Sequence, residues 1–532
     1  MTYTLRQMAP RVVFMTASAI ASITPGLAQA QSGAVWSHDS AVTGENWNAH
    51  VVSLGNHGTQ VLSAFGPFTD YTRLFSVYDQ DPPAPIWQHD TTAITKRHRV
   101  ASAKQADVHA TVHDVDSGGL FNSRNVVVRK FSSASGTPDW EYIFPNTTNG
   151  HDGTNVHVSA DGQRIVALMY NVSQNETDVA VFSPDSGVPL TSYSVTAGTA
   201  LATSLLSADG TTLYLRSSAK VVLFDLVNGT NRFETILFGG AAYSDAISGD
   251  GSVFAYSSYS HAKVYREVSG AFVDPDVITL PGDNYCGKLD LSDDGRVLGL
   301  GFNYFDSWLR VRVQARDLET GDILVDDNLV GSGSLQNLAS SLKVSADGSH
   351  VAIGLWGDEA GMVPEVAVYS TNDGLQVASF HTPGSVNAMD FSSDGSTLAV
   401  ASKRVHANTV ASGGRIEVYE IGESDFTMSG LPSVGQTVEF TFEARTGKSA
   451  ALFYSPRLAN TPTVIPTVGT LRFNPDEISS TPMGIVPVGD TITSEFEIPN
   501  NVALIGSTLY FQGFASAPRS LSKGWVAMTI LP

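Results

Sequence analysis

Two stretches of this 532-residue chain set aromatic rings beside carboxylates: Tyr304, Phe305 and Trp308, then Trp356, Asp358 and Glu359. Rings can stack on a sugar or grip a peptide side chain while neighbouring acids hydrogen-bond it. These six residues are therefore the candidate ligand site, although aromatic side chains at such positions also serve as packing between strands. Asp114, Asp116, Asp283, Asn284 and Asp358 offer oxygen ligands suited to a hard cation such as calcium. No pair of them has a spacing that identifies a metal site, and acidic loop residues in an acidic chain usually form a solvated face. His109 and His113 lie four apart in a segment that reads as extended, where they would stand about 13 Å apart, too far to share a metal. His-Glu metalloprotease spacing, a nucleophile elbow and a phosphate-binding Gly-Lys loop are absent from the sequence. Cys286 is the only cysteine, which excludes an internal disulfide, and it reads as a small packing residue between Tyr285 and Gly287.

The elements that must position these residues are repeated ones. A Ser-x-Asp-Gly signature begins at Ser159, Ser207, Ser248, Ser292, Ser345 and Ser392, at spacings of 48, 41, 44, 53 and 47 residues. Asp-Gly between apolar runs is a hairpin signal, because both residues tolerate the dihedrals of a tight turn. Turn geometry thus accounts for Asp161, Asp209, Asp250, Asp294, Asp347 and Asp394 better than a calcium array does. Each unit continues into a third strand ending in an aromatic residue, as in Val179 to Phe182 and Val366 to Tyr369, and a fourth strand usually follows. Four short strands fill about 40 to 50 residues, the size of a propeller blade. Two degenerate copies begin near Val51 and Val100. The last unit stops after Arg415 to Ile421, and Ala34 to Asp39 matches the missing fourth strand, because Trp36-Ser-His-Asp39 parallels Trp87-Gln-His-Asp90. The expected fold is all-β: an eight-bladed β-propeller over 31–424, with seven blades as the alternative, closed by its own N-terminal strand. The first-to-second strand turns are short and uniform, whereas His113 to Asn125, Tyr170 to Asp178, Phe302 to Trp308, Trp356 to Glu365 and Lys403 to Arg415 vary. The varied connections share one face, which carries the candidate site.

The passages Ser132 to Trp140 and Ala315 to Val325, in which a glycine turn precedes a tryptophan or an apolar strand, resemble the quinoprotein and WD40-like propeller repeat across roughly residues 33 to 422. The resemblance speaks to fold more than to activity. In its enzymatic members it implies an o-quinone and calcium at the propeller axis, and in alcohol-oxidising members a vicinal disulfide under the quinone. A lone Cys286 rules that disulfide out. From 425 to 532 the signature disappears, and Val438, Phe440 and Phe442 alternate, as do Leu509, Phe511 and Gly513. This segment reads as a C-terminal β-sandwich and resembles a module that ends many bacterial secreted proteins, to which no chemistry is attached.

Residues 1–30 carry Arg6 and Arg11, an apolar stretch from Val12 to Ile23, a Pro25-Gly26 break and Ala28-Gln29-Ala30. That is the order of a signal peptide cleaved after Ala30. The stretch is too short and too interrupted by Thr16, Ser18 and Ser22 for a membrane anchor. Export to the periplasm or the extracellular space is expected, with no transmembrane segment in the mature chain. Hydrophobic residues make up 42% and charged residues 16%, a globular composition that excludes disorder through excess charge. The net charge of −21 argues against nucleic acid as a partner. The expected function is a monomeric, non-catalytic binding protein for a protein, peptide or glycan ligand. No cofactor is expected, calcium being the ion that the loop carboxylates would suit. The alternatives are a metal- or quinone-dependent dehydrogenase, lactonase or hydrolase, or a purely structural envelope protein.

Overall fold

The computed structural model describes Ala34 to Leu531 apart from residues 35, 41–48, 66–70, 77–84, 91–94, 117–123, 145–154, 172–173, 197–200, 238–243, 260, 280–283, 306–307, 360, 362, 394, 408–412, 422–425, 445–446, 466–468, 474–476, 488–490 and 517–519. The expected signal peptide at 1–30 lies outside the described residues.

Between Trp36 and Glu420 the described strands form eight antiparallel sheets, seven of four strands and one of five. Their first strands are Ala49–Gly55, Thr95–Ser102, Asn155–Val158, Leu201–Leu206, Asp245–Ile247, Asn284–Leu291, Ala339–Val344 and Val386–Phe391. Each first strand packs on the next in chain order, and the last returns to the first. The sheets therefore close into a ring, which is a β-propeller. Second strands lie between the neighbouring sheets on both faces, so they are buried along their length and mostly apolar rather than alternating. Ile165–Asn171 and Val297–Tyr304 are buried at every residue, whereas the outer strand Ser135–Ile143 alternates between exposed and half-buried. One apolar cluster fills each interface between consecutive sheets. The cluster joining the last sheet to the first contains Trp36, Val52, Leu54, Phe75, Ile416 and Val418.

Closure depends on the N-terminal strand, as its sequence suggested. Trp36–Ser40 pairs antiparallel with Gly414–Glu420, Trp36 opposite Val418 and Ser40 opposite Gly414. It supplies the fourth strand that the last unit lacks.

The Ser-x-Asp-Gly signature is a self-contained turn. In the third unit Ser159 Oγ donates to Asp161 Oδ1 at 2.6 Å and accepts the Arg164 N–H at 3.0 Å, and Asp161 Oδ1 accepts the Gln163 N–H at 2.9 Å. The same three bonds recur at Ser207, Ser248, Ser292 and Ser345. Gly162 has φ +75°, a left-handed conformation that a Cβ would strain. These aspartates are committed to backbone geometry.

A second repeated device joins neighbouring sheets at their outer edges. Trp87 donates its indole N–H to the Ser132 carbonyl at 2.8 Å, Trp140 to Pro184 at 3.0 Å, and the Tyr193 hydroxyl to Leu226 at 3.0 Å. In each pair the ring of one sheet docks on the third-to-fourth turn of the next. Glycine is needed there because a Cβ at Gly136 would stand 2.8 Å from the Gln88 carbonyl oxygen.

From Phe426 onward, a three-stranded sheet (Phe426–Ser429, Thr437–Glu443, Thr491–Glu497) and a four-stranded one (Ser449–Ser455, Ser479–Ile485, Thr508–Ala515, Ser520–Thr529) share one core. Phe426, Phe440, Phe442, Leu452, Phe511 and Met528 fill it.

Candidate ligand-binding face

The inner rim of the ring is held by backbone and charge. Asn56 N–H donates to Ala103 O, Gln105 to Ala160, Ala160 to Ala208, Asp209 to Gly249, Gly249 to Asp293 and Asp293 to Ala346, at 2.8 to 3.1 Å. Just inside this chain, one side chain of each of several sheets accepts an N–H of the next. Ser53 Oγ takes Ser102 N–H at 3.1 Å, Asp290 takes Val344 N–H at 3.0 Å and Asp390 takes Leu54 N–H at 2.8 Å. Lys104 Nζ lies 2.5 Å from Asp390 and Lys343 Nζ 3.7 Å from Asp290. Burial holds the Asp290 carboxyl above its ordinary range, against the pull of Lys343. The charges of Asp290 and Asp390 together hold the Lys343 ammonium above its own.

These residues do not fit the quinone and calcium that the propeller resemblance would bring to the axis. Asp290 and Asp390 are already engaged by lysines and backbone N–H groups. Cys286 is fully buried, and burial pushes its thiol up to about 12. Among the described residues, no three His, Cys, Asp or Glu side chains gather as a metal site would need. Asp114 and Asp116 lie at the end of the strand His109–Asp116, and Asp283 lies outside the described residues. His109 is buried between Ser102, Gln60 and Asp107, and His113 meets Arg129 at 3.1 Å.

On the face formed by second-to-third and fourth-to-first connections, the structure divides the six candidate residues into two groups. Tyr304 is buried at the end of its strand, with the Arg310 guanidinium 3.6 Å above its ring. Phe305 is 37% exposed and meets Trp308 edge to face at 5.2 Å. Two rings absent from the candidate set complete this group. Tyr285 stacks on Phe305 at 5.4 Å and Tyr259 at 6.0 Å, and Tyr259 is 52% exposed. Tyr259 comes from the short Ser257 to His261 connection, which its length did not single out. Tyr285 adjoins Cys286, and that proximity to Phe305 leaves no mark in sequence.

Trp308 has φ +57°, a left-handed conformation costly for a bulky residue. The next sheet's connection holds it there. Asn337, fully buried, donates its N–H to Trp308 O at 2.7 Å and its side-chain amide to Leu309 O at 3.4 Å, and accepts Gly357 N–H at 3.2 Å.

The second group grips a loop. Asp358, 1% exposed, accepts Ser332 N–H at 2.8 Å, Ser332 Oγ at 3.0 Å and Val363 N–H at 3.1 Å. Glu359 is exposed and accepts both N–H and Oγ of Ser334 at 2.8 Å. Those bonds, from the Ser334 backbone first, hold its carboxyl below the usual range. Both acids bind the Gly331-Ser-Gly-Ser334 connection, where a Cβ at Gly333 would stand 2.6 Å from Glu359 Oε2. Trp356 is half-buried, with the Lys403 ammonium 6.0 Å over its ring and its carbonyl accepting Ser385 Oγ at 2.7 Å.

No protein-family model matches the chain, and no curated protein matches it. Among solved structures, it is similar to the crystal structure of the C-terminal WD40 domain of Sif2. That match has a TM-score of 0.49 and 13% identity, and covers 73% of this chain and 98% of the other. In the described residues, no helix is long and apolar enough to cross a membrane.

Proposed function

We propose that this protein is an exported, monomeric, non-catalytic binding protein. In this reading an eight-bladed propeller presents its varied connections to a protein, peptide or glycan ligand, and a β-sandwich follows from residue 425. Export to the periplasm or extracellular space follows cleavage after Ala30. The observation that carries the reading is the asymmetry of the two faces. The Asp-Gly turns spend their polar groups on themselves and on the turns of neighbouring sheets, whereas the opposite face exposes the rings of Tyr259 and Phe305 beside Tyr285 and Trp308. Aromatic anchors on a rigid frame are what recognition surfaces use.

The test is binding of the mature protein to peptide and glycan arrays, compared with Trp308→Ala and Trp356→Ala variants. The expected result is a bound class lost in the Trp308 variant at unchanged melting temperature. Binding that survives both substitutions places the site elsewhere. A bound quinone in the absorption spectrum, or stoichiometric calcium by metal analysis, overturns the non-catalytic reading. N-terminal sequencing of the exported protein should begin at Gln31, and an intact Met1 overturns the cleavage.

A further inference from the structure

We propose that the cluster Tyr259, Tyr285, Phe305 and Trp308 is a docking site for an arginine-bearing peptide segment of a partner protein, whose guanidinium lies on the exposed rings. This rests on the binding-protein reading above and narrows it to one ligand chemistry.

The rings form a compact group, Tyr259, Tyr285 and Phe305 standing 5.4 to 6.0 Å from one another with Trp308 at the edge of Phe305. Two sheets contribute to it. Ring faces carry negative potential and attract cations, arginine more often than lysine, because the planar, weakly hydrated guanidinium stacks flat. The protein already shows this preference one residue away, where the Arg310 guanidinium sits 3.6 Å over the Tyr304 ring.

Charge points the same way. The whole chain carries −21, so a cationic segment is drawn to the surface and an acidic one repelled. The held left-handed backbone of Trp308 is a further mark, since such strain persists where the surroundings fix it and clusters at ligand sites.

The experiment titrates the full mature protein, at physiological salt, with a capped seven-residue peptide carrying two arginines in a glycine-serine background. The controls are the same peptide with glutamines in place of arginines and a neutral glucose oligosaccharide. The arginine peptide should bind and the glutamine peptide should bind at least about tenfold more weakly. Phe305→Leu, which keeps charge and bulk, should weaken the arginine peptide by roughly fivefold to tenfold without moving the melting temperature. Tyr259→Ser, a change at an exposed ring, provides the same readout if the leucine variant fails to fold. Equal affinity of the two peptides, or an arginine affinity that both variants leave intact, overturns the proposal, since non-specific attraction to an acidic protein needs no rings. Oligosaccharide binding that Phe305→Leu removes, without arginine-peptide binding, overturns the cationic ligand but preserves the face as a binding surface. Binding of none of the three probes also overturns it, and the array experiment then decides the broader reading alone.

Discussion

Asp390 accepts the backbone N–H of Leu54 at 2.8 Å, joining residues 336 apart in sequence and fastening the last sheet of the ring to the first. Lys104 reaches the same carboxylate from the second sheet and also donates to the Phe391 carbonyl at 2.7 Å. Replacing Asp390 with Ala leaves Leu54 N–H without this acceptor and removes the carboxylate from the Lys104 ammonium, which keeps the Phe391 carbonyl. The expected loss is about 1 to 3 kcal/mol, read as a lower urea midpoint at unchanged slope. Asp390→Asn, which keeps an acceptor for Leu54 but loses the charge, should fall between the two.

Deleting residues 31–40 removes the strand opposite Gly414–Glu420 and uncovers its edge. An unpaired edge is a template for association, so the truncated protein should form oligomers in size-exclusion chromatography and melt at lower temperature. A monomer with unchanged melting temperature would show that the N-terminal strand is dispensable. The milder Trp36→Ala empties one place in the last-to-first cluster and should cost about 3 to 5 kcal/mol.

His157 is held neutral by burial, which lowers its titration to about 4 from 6.5. Its Nε2 lies 3.0 Å from Ser204 Oγ. Because the unfolded chain takes up this proton at higher pH than the folded one, stability falls as pH drops from about 6.5 to about 4. The contribution is on the order of 1 to 3 kcal/mol. His157→Gln should flatten that part of the stability-against-pH curve, and an unchanged slope would remove His157 as its source.

Cys286 is fully buried and its thiol is pushed up to about 12 by burial. Thiolate is the reactive form, so the native protein should fail to react with a disulfide reagent at pH 8 and release one equivalent on denaturation. Rapid native labelling would contradict the packing role.

How much of this was legible in the sequence follows from what each residue does locally. Ser159, Asp161 and Gly162 act within one turn, so their pattern repeats wherever the turn does and marks six of the eight described sheets. The pairing of Trp36–Ser40 was readable because its Trp-x-His-Asp pattern copies Trp87 to Asp90, a strand doing the same job. Phe305 and Trp308 were marked by a varied connection. Tyr285 was not, because its meeting with Phe305 depends on a register between strands. The engagement of Asp358 and Glu359 by Ser332 and Ser334 was equally hidden, since it joins connections of different sheets. Residues acting within one turn leave a pattern, and contacts across sheets do not.

Arg415 also reaches back to Ser37 Oγ, at 3.0 Å across 378 residues. During synthesis at about 5 to 20 residues per second, the strand at Trp36 would wait tens of seconds before its partner emerged. Until then the earlier sheets can assemble only as an open arc, and the slow, long-range join comes last. A holding factor that shields Trp36 to Ser40 in that interval would raise the yield of closed rings without contacting the finished protein.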